Sequence, residues 1–198
     1  MQNGTNIIKN ITTNLLLVFY ITYYIITLGD GFMNLSYVIP KKDELWYRQS
    51  IVEDKNTMEF NSGIVLFPRE KWDDWYAKWI GCNNHDYFYA YLFDKNTTSY
   101  VGEIAYRKEN NSNIATLNII IEYKHRGKGY GKEGLKLLVK TAFKNGYDEV
   151  RDYINKNSIN SHKLFSSFGF KIVDSENDED IEFRLTKSEY INIYGEIE

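Results

Sequence analysis

A chain of 198 residues, 43% hydrophobic and 26% charged, has enough apolar content for one globular domain with an appendage. Its formal net charge of -3 argues against a general nucleic-acid binder, which needs a basic face. The sole cysteine, Cys82, excludes an internal disulfide, and His85, His125 and His162 are too scattered for zinc spacing, so no structural metal is expected. A reducing compartment, and hence a cytoplasmic location, fits this usage.

Residues 1–32 read as an apolar N-terminal extension of uncertain role. Asn10–Gly29 carries no charge and contains the run Leu15–Ile26, long enough to cross a bilayer. Asn, Thr and Tyr within it weaken that reading, so membrane contact through 10–29 stays open without being favoured. A dispensable extension is the preferred interpretation, with residues 33–198 as the domain proper.

Along the domain, Leu35–Ile39 reads as a strand and Lys42–Glu53 as a helix. Pro68 opens a second helix to about Ile80, on which Trp72, Trp75 and Trp79 share a face. That tryptophan stripe is expected in the core rather than as a ligand cage. Tyr87–Phe93, Ser99–Tyr106 and Ile114–Ile121 follow as an antiparallel meander. A helix over about Gly129–Asn145 carries the apolar stripe Leu135, Leu138, Val139, Ala142 and Phe143. Glu149–Ile154 is a strand. Asn157 or Ser158 caps the next helix, which Gly169 stops. Lys171–Asp174 and Ile181–Leu185 are strands joined by the acidic stretch Asp174–Asp180. The expected class is α/β (α+β), a mixed, mostly antiparallel sheet flanked by helices.

Between the third meander strand and its helix lies Arg126-Gly127-Lys128-Gly129-Tyr130-Gly131. Closely spaced glycines let backbone N–H groups converge on an anion, and the helix start adds partial positive charge. A Walker loop is ruled out, since Gly131-Lys132 is followed by Glu133 and offers no hydroxyl to magnesium. A dinucleotide fingerprint matches Gly129, Gly131 and Gly134 by letter, with Asp152 further on. The seven residues Glu122–Lys128 separate its strand from its first glycine, however, and no repeated βαβ units follow.

Asn118–Leu135 resembles the cofactor-binding motif of the GNAT superfamily of N-acetyltransferases, whose pattern Arg/Gln-x-x-Gly-x-Gly/Ala is met by Arg126, Gly129 and Gly131. Ser158–Phe170 resembles the family's later helix with its Gly-Phe ending. The element order extends the likeness over about 33–185. The resemblance implies acetyl transfer from acetyl-CoA, as acetyl-donor cosubstrate and without a metal, to an amine of a small molecule or protein by direct attack on the thioester. It implies pyrophosphate on the amides of Arg126, Gly127, Lys128, Gly129, Tyr130 and Gly131. The pantetheine arm would lie along Ile120, Ile121, Glu122 and Tyr123, with Asn157 or Ser158 on its other side.

An attacking alkylamine, pKa roughly 10, must lose a proton, and Glu103 and Glu122 are the candidate bases. The family's proton-donating tyrosine is replaced by Phe165, which leaves Tyr153, water or an unprotonated thiolate as alternatives. That gap keeps a catalytically silent acyl-CoA-binding module in view. The five carboxylates of 174–180 read first as a solvated hairpin, with attraction of a cationic acceptor such as a polyamine, an aminoglycoside or a basic protein terminus as the alternative. Homodimer formation is compatible with this reading.

Overall fold

The computed structural model describes residues 34–82, 85–109, 112–173 and 179–197. The apolar stretch 10–29 and most of the acidic stretch, 174–178, lie outside the described residues. Leu35–Glu198 forms one compact unit. No helix among the described residues is long and apolar enough to cross a membrane.

Seven strands make one sheet: β1 Leu35–Val38, β2 Tyr87–Asp94, β3 Ser99–Lys108, β4 Ile114–Ile121, β5 Glu149–Asn155, β6 Lys171–Val173 and β7 Asp180–Thr186. They lie in the order β1-β2-β3-β4-β5-β7-β6. All neighbours are antiparallel except β4 and β5. The helices are α1 Trp46–Val52, α2 Lys55–Met58, α3 Trp72–Trp79, α4 Tyr130–Lys144, α5 Ile159–Phe168 and α6 Lys187–Tyr194.

The long first helix expected over Lys42–Glu53 is shorter. A 3-10 turn at Lys42–Glu44 leads into α1, and α2 follows after a break at Asp54, whose carboxylate accepts from the Thr57 N–H at 2.7 Å. The second helix likewise begins as a 3-10 turn, Arg69–Lys71, before α3. α6 was not expected, although Thr186 and Glu189 make a reciprocal capping box at its start.

Strand period 2 places Tyr89, Tyr91, Ala105 and Ile120 on one face, under α1 and α3. The tryptophan stripe packs there as expected: Trp72 is buried, and Trp75 and Trp79 stack at 5.9 Å beside Tyr89. The opposite face receives α4, whose Gly134 sits so close that a Cβ would come within 2.7 Å of Leu92. Phe143 and Phe168 meet Tyr190 of α6 on that side.

Between β4 and β5 the ladder stops early. Only Ile114–Thr116 pairs with Glu149–Arg151, whereas β4 stays paired to β3 as far as Ile121 and β5 to β7 as far as Asn155. Two well-formed half-sheets therefore diverge, leaving the β5-facing edge of Leu117–Ile121 and the β4-facing edge of Asp152–Asn155 without strand partners. Edge N–H and C=O groups of this kind are a template for an added extended chain.

Candidate functional site

The mouth of that gap lies at the end of β4, where the glycine loop turns into α4. Gly127 and Gly129 take φ values of +76° and +88°, the left-handed region that a side chain would strain. Gly129 is the N-cap of α4. Among the described residues, no backbone carbonyl accepts the N–H groups of Gly127 to Gly131; the next amide, of Lys132, bonds Gly129 O at 3.0 Å. Gly127, Lys128 and Gly129 are exposed. This is a loop of free amides over a helix N-terminus, the arrangement that binds phosphate.

The side chains around it anchor the loop. The Tyr130 hydroxyl donates to Asp94 at 2.7 Å and is buried, so only its backbone can meet an anion. The carboxylate of Asp94 raises the Tyr130 phenol to about 12, with burial adding to the effect. Arg126 turns inward and donates to the carbonyls of Ile121, Asn56 and Thr57, which fastens the loop to α2. Its guanidinium is thereby engaged by the protein. Thr57 also accepts from the Tyr123 N–H at 3.0 Å. The part of α2 in holding the loop had no signal in sequence, because four residues carry no periodicity. Across the gap, Leu164 of α5 comes within 3.3 Å of where a Gly131 Cβ would sit. Asn157 is exposed. Ser158 holds the cap position of α5, but its hydroxyl bonds Ser161 rather than a backbone N–H.

The two candidate carboxylates differ sharply. Glu103 is fully buried in β3, where it takes an ion pair from Arg48 and a short hydrogen bond from Tyr89. The Arg48 guanidinium lies over the rings of Trp75 at 4.6 Å and Phe67 at 5.2 Å. Burial, with Glu103 beside it, pushes the Tyr89 phenol well above its ordinary range, so Tyr89 remains a donor. Glu103 therefore has no open side for an amine; it ties β3 to α1. Removing one partner of a buried pair strands the other charge. Glu103→Gln should cost about 3 kcal/mol in denaturant unfolding, while the double replacement Arg48→Met/Glu103→Leu should cost much less.

Glu122 is partly exposed where β4 ends. It accepts from Tyr47 of α1 at 3.2 Å and pairs with Lys124 at 2.7 Å, with His125 Nε2 at 3.7 Å. Burial, then the negative charge of Glu122, drives the Tyr47 phenol upward, so Tyr47 donates. Burial also lowers His125, against the pull of Glu122 and helped by Lys124 and Lys128, which leaves a neutral imidazole next to the carboxylate. Tyr47, Tyr91 and Tyr100 form an aromatic wall behind this group, with ring centroids about 5 Å apart. Phe165 is buried among Phe170 and Phe183 and supplies no proton. Tyr153 is exposed on β5. A hollow of about 290 Å³ among Trp79, Cys82, His85 and Tyr87 includes none of the loop residues.

Sequence reasoning passed over one further group. Val150, Asp152 and Ile154 alternate on one face of β5, so Asp152 is a carboxylate in an apolar register, and that pattern was the available signal. Among the described residues no cluster of His, Cys, Asp and Glu could hold a metal ion.

Comparison with known proteins bears on this geometry. A spermidine N-acetyltransferase from Vibrio cholerae, solved with CoA and spermine, superposes with a TM-score of 0.71 at 15% identity, covering 80% of this chain and 99% of that one. A GNAT-family acetyltransferase from Bacillus anthracis gives 0.62 at 14% identity, covering 78% and 96%. In sequence, an uncharacterised protein of Methanocaldococcus jannaschii is 32% identical over 101 residues, 51% of this chain and only 21% of that protein. The chain thus aligns with about a fifth of that relative. At these identities the solved structures speak to fold. The model of the acetyltransferase (GNAT) domain family matches residues 35–171. With the interrupted β4–β5 ladder and the amide loop above it, the chain belongs to the GNAT family of acetyltransferases.

Proposed function

We propose that this protein transfers an acetyl group from acetyl-CoA to an amine. The observation that carries the reading is the gap between β4 and β5 beneath the free amides of Gly127–Gly131. The pyrophosphate of CoA sits on those amides, with Lys128 adding charge. The pantetheine arm enters the gap and uses the free edge of Leu117–Ile121 as an added strand would, with the backbone up to Tyr123 leading to the loop and Asn157 and Ser158 on the far side.

The amine approaches from the α1 side, where Glu122 meets Tyr47 and His125. An alkylamine with a pKa of roughly 10 is almost wholly protonated at pH 7, and its ammonium has no lone pair for attack. Glu122 accepts that proton, and the freed nitrogen attacks the thioester carbonyl. A positioned base of this kind contributes about 10²–10⁴-fold. Glu103 acts one layer deeper and only positions the wall.

The acceptor is a cationic amine. Five carboxylates in 174–180 support this, and the Vibrio cholerae neighbour is named for spermidine. The test is thiol release from acetyl-CoA with a panel including spermidine, basic peptide N-termini and a neutral amine. Release above background with the polyamine, with a KM that rises with salt, is the expected result. Acetyl-CoA binding without release for any amine would favour a silent binding module.

A further inference from the structure

We propose that Asp152 is a catalytic residue of this site: its carboxyl group stands at the apex of the β4–β5 gap and protonates the departing CoA sulfur. This rests on the acetyl-transfer reading above.

The placement comes from register. β4 and β5 last pair at Thr116 and Arg151, so Asp152 is the first β5 residue past the split. Continuing the register sets Leu117 of β4 level with it. Because Val150 and Ile154 are buried, Asp152 faces the side of the sheet that α4 and α5 cover. Its Cα partner on β7 is Phe183, whose ring lies 5.7 Å from Phe165. Phe183 thus links the register position of Asp152 to the ring of Phe165, which has no hydroxyl to give.

The group is also underemployed. Among the described residues its hydrogen bond is with the neighbouring Tyr153 N–H, at 2.8 Å, and no cation pairs with it. It is half-buried. A carboxylate kept in an apolar strand register without a counter-ion is costly unless it is protonated or used. Burial raises Asp152 to about 8, offset in part by the Tyr153 N–H and reinforced by the negative charge of Asp180. His162 of α5 lies on the same side, 5.6 Å from Phe183. The stripe that α4 turns to the sheet is apolar: Leu135, Leu138 and Val139. At neutral pH Asp152 is therefore mostly a neutral acid, and its affinity for the proton matches that of a thiol, about 8.5.

The step balances without a further reagent. The amine nitrogen bonds to the thioester carbon. As the tetrahedral intermediate collapses, the C–S bond breaks and its electron pair leaves on sulfur. The Asp152 O–H gives its proton to that sulfur, and the nitrogen's remaining extra proton leaves to water, because Glu122 already holds the first. Exchange with water returns a proton to Asp152 and removes the one on Glu122.

The experiment uses the full chain and needs no acceptor in its first arm. CoA bound to the protein is titrated by its thiolate absorbance. In the wild type, ionised Asp152 repels the thiolate, so the bound thiol should titrate above free CoA. In Asp152→Asn it should fall by at least about half a unit. In the second arm, with an accepted amine, Asp152→Asn should lose about 30-fold or more in kcat while the Kd for acetyl-CoA stays within about threefold. Since only the protonated acid works, wild-type kcat should fall as pH rises through about 8, and that limb should vanish in the variant. Asp152→Glu should recover part of kcat and a shifted limb. A bound thiol that titrates at or below free CoA in the wild type overturns the proposal even if neither variant folds. A loss confined to Kd, or an unchanged alkaline limb, also overturns it. Failure of the wild type to bind CoA would instead overturn the acetyl-transfer reading, and Asp152's role with it. CoA binding with no thiol release for any amine removes the transfer step alone, and the thiol titration then decides whether Asp152 meets the sulfur.

Discussion

Replacing Gly129 and Gly131 together by valine should weaken acetyl-CoA binding by about 100-fold or more, read by calorimetry on a protein whose circular dichroism is unchanged. Gly129 starts α4 at φ +88°, where a side chain costs about 1–2 kcal/mol in backbone strain. That is a fraction of the roughly 5–15 kcal/mol that holds a domain folded, so a folded variant is expected. At Gly131 a Cβ already meets Leu164 at 3.3 Å, and a branched side chain would extend across the mouth of the gap. The same substitutions tilt the free amides of Gly127–Gly131 away from a common centre. Binding is therefore lost through geometry rather than charge. A folded double variant with wild-type affinity would remove the loop from the cofactor site.

The second large effect is at Glu122. Glu122→Gln should lower kcat by about 10²–10³-fold and leave the Kd for acetyl-CoA little changed. The carboxylate takes the proton from the ammonium, and the amide of glutamine has no such capacity. In the variant the rate should rise in proportion to hydroxide, because only the free amine present in solution can then attack. Glu122 also accepts from Tyr47 and pairs with Lys124, so a purely structural role would appear as a lowered Tm with the wild-type pH profile. Glu103→Gln should show the converse, a loss of stability with the pH profile retained.

Much of this arrangement was legible in the sequence. β4 runs Ile114–Ile121 as its apolar, β-branched residues indicated, and α4 follows its stripe to Asn145 and Gly146. Both are long and strongly periodic, and the glycines between them constrain the backbone locally. What stayed hidden depends on contacts distant in sequence. Glu103 read as an accessible strand carboxylate because nothing local announces Arg48, 55 residues away. Arg126 is legible as a motif residue, but not the engagement of its guanidinium, because the carbonyls of Asn56 and Thr57 that accept from it belong to a helix too short to recognise. The early end of the β4–β5 ladder is a property of two separate strands, and no residue of either encodes it alone. Two signals were present and went unread: the Thr186–Glu189 capping box of α6, and the acid in the apolar register of β5.

The central claim is that CoA binds on the Gly127–Gly131 amides and along the free edge of β4. Amide hydrogen exchange with and without saturating CoA tests it most directly. Protection concentrated at Gly127–Gly131 and at the β5-facing amides of Leu117–Ile121, with β1 and β2 unchanged, is the predicted result. Saturable CoA binding that leaves those amides exchanging at their free rates, or protects a different face of the sheet, would contradict it.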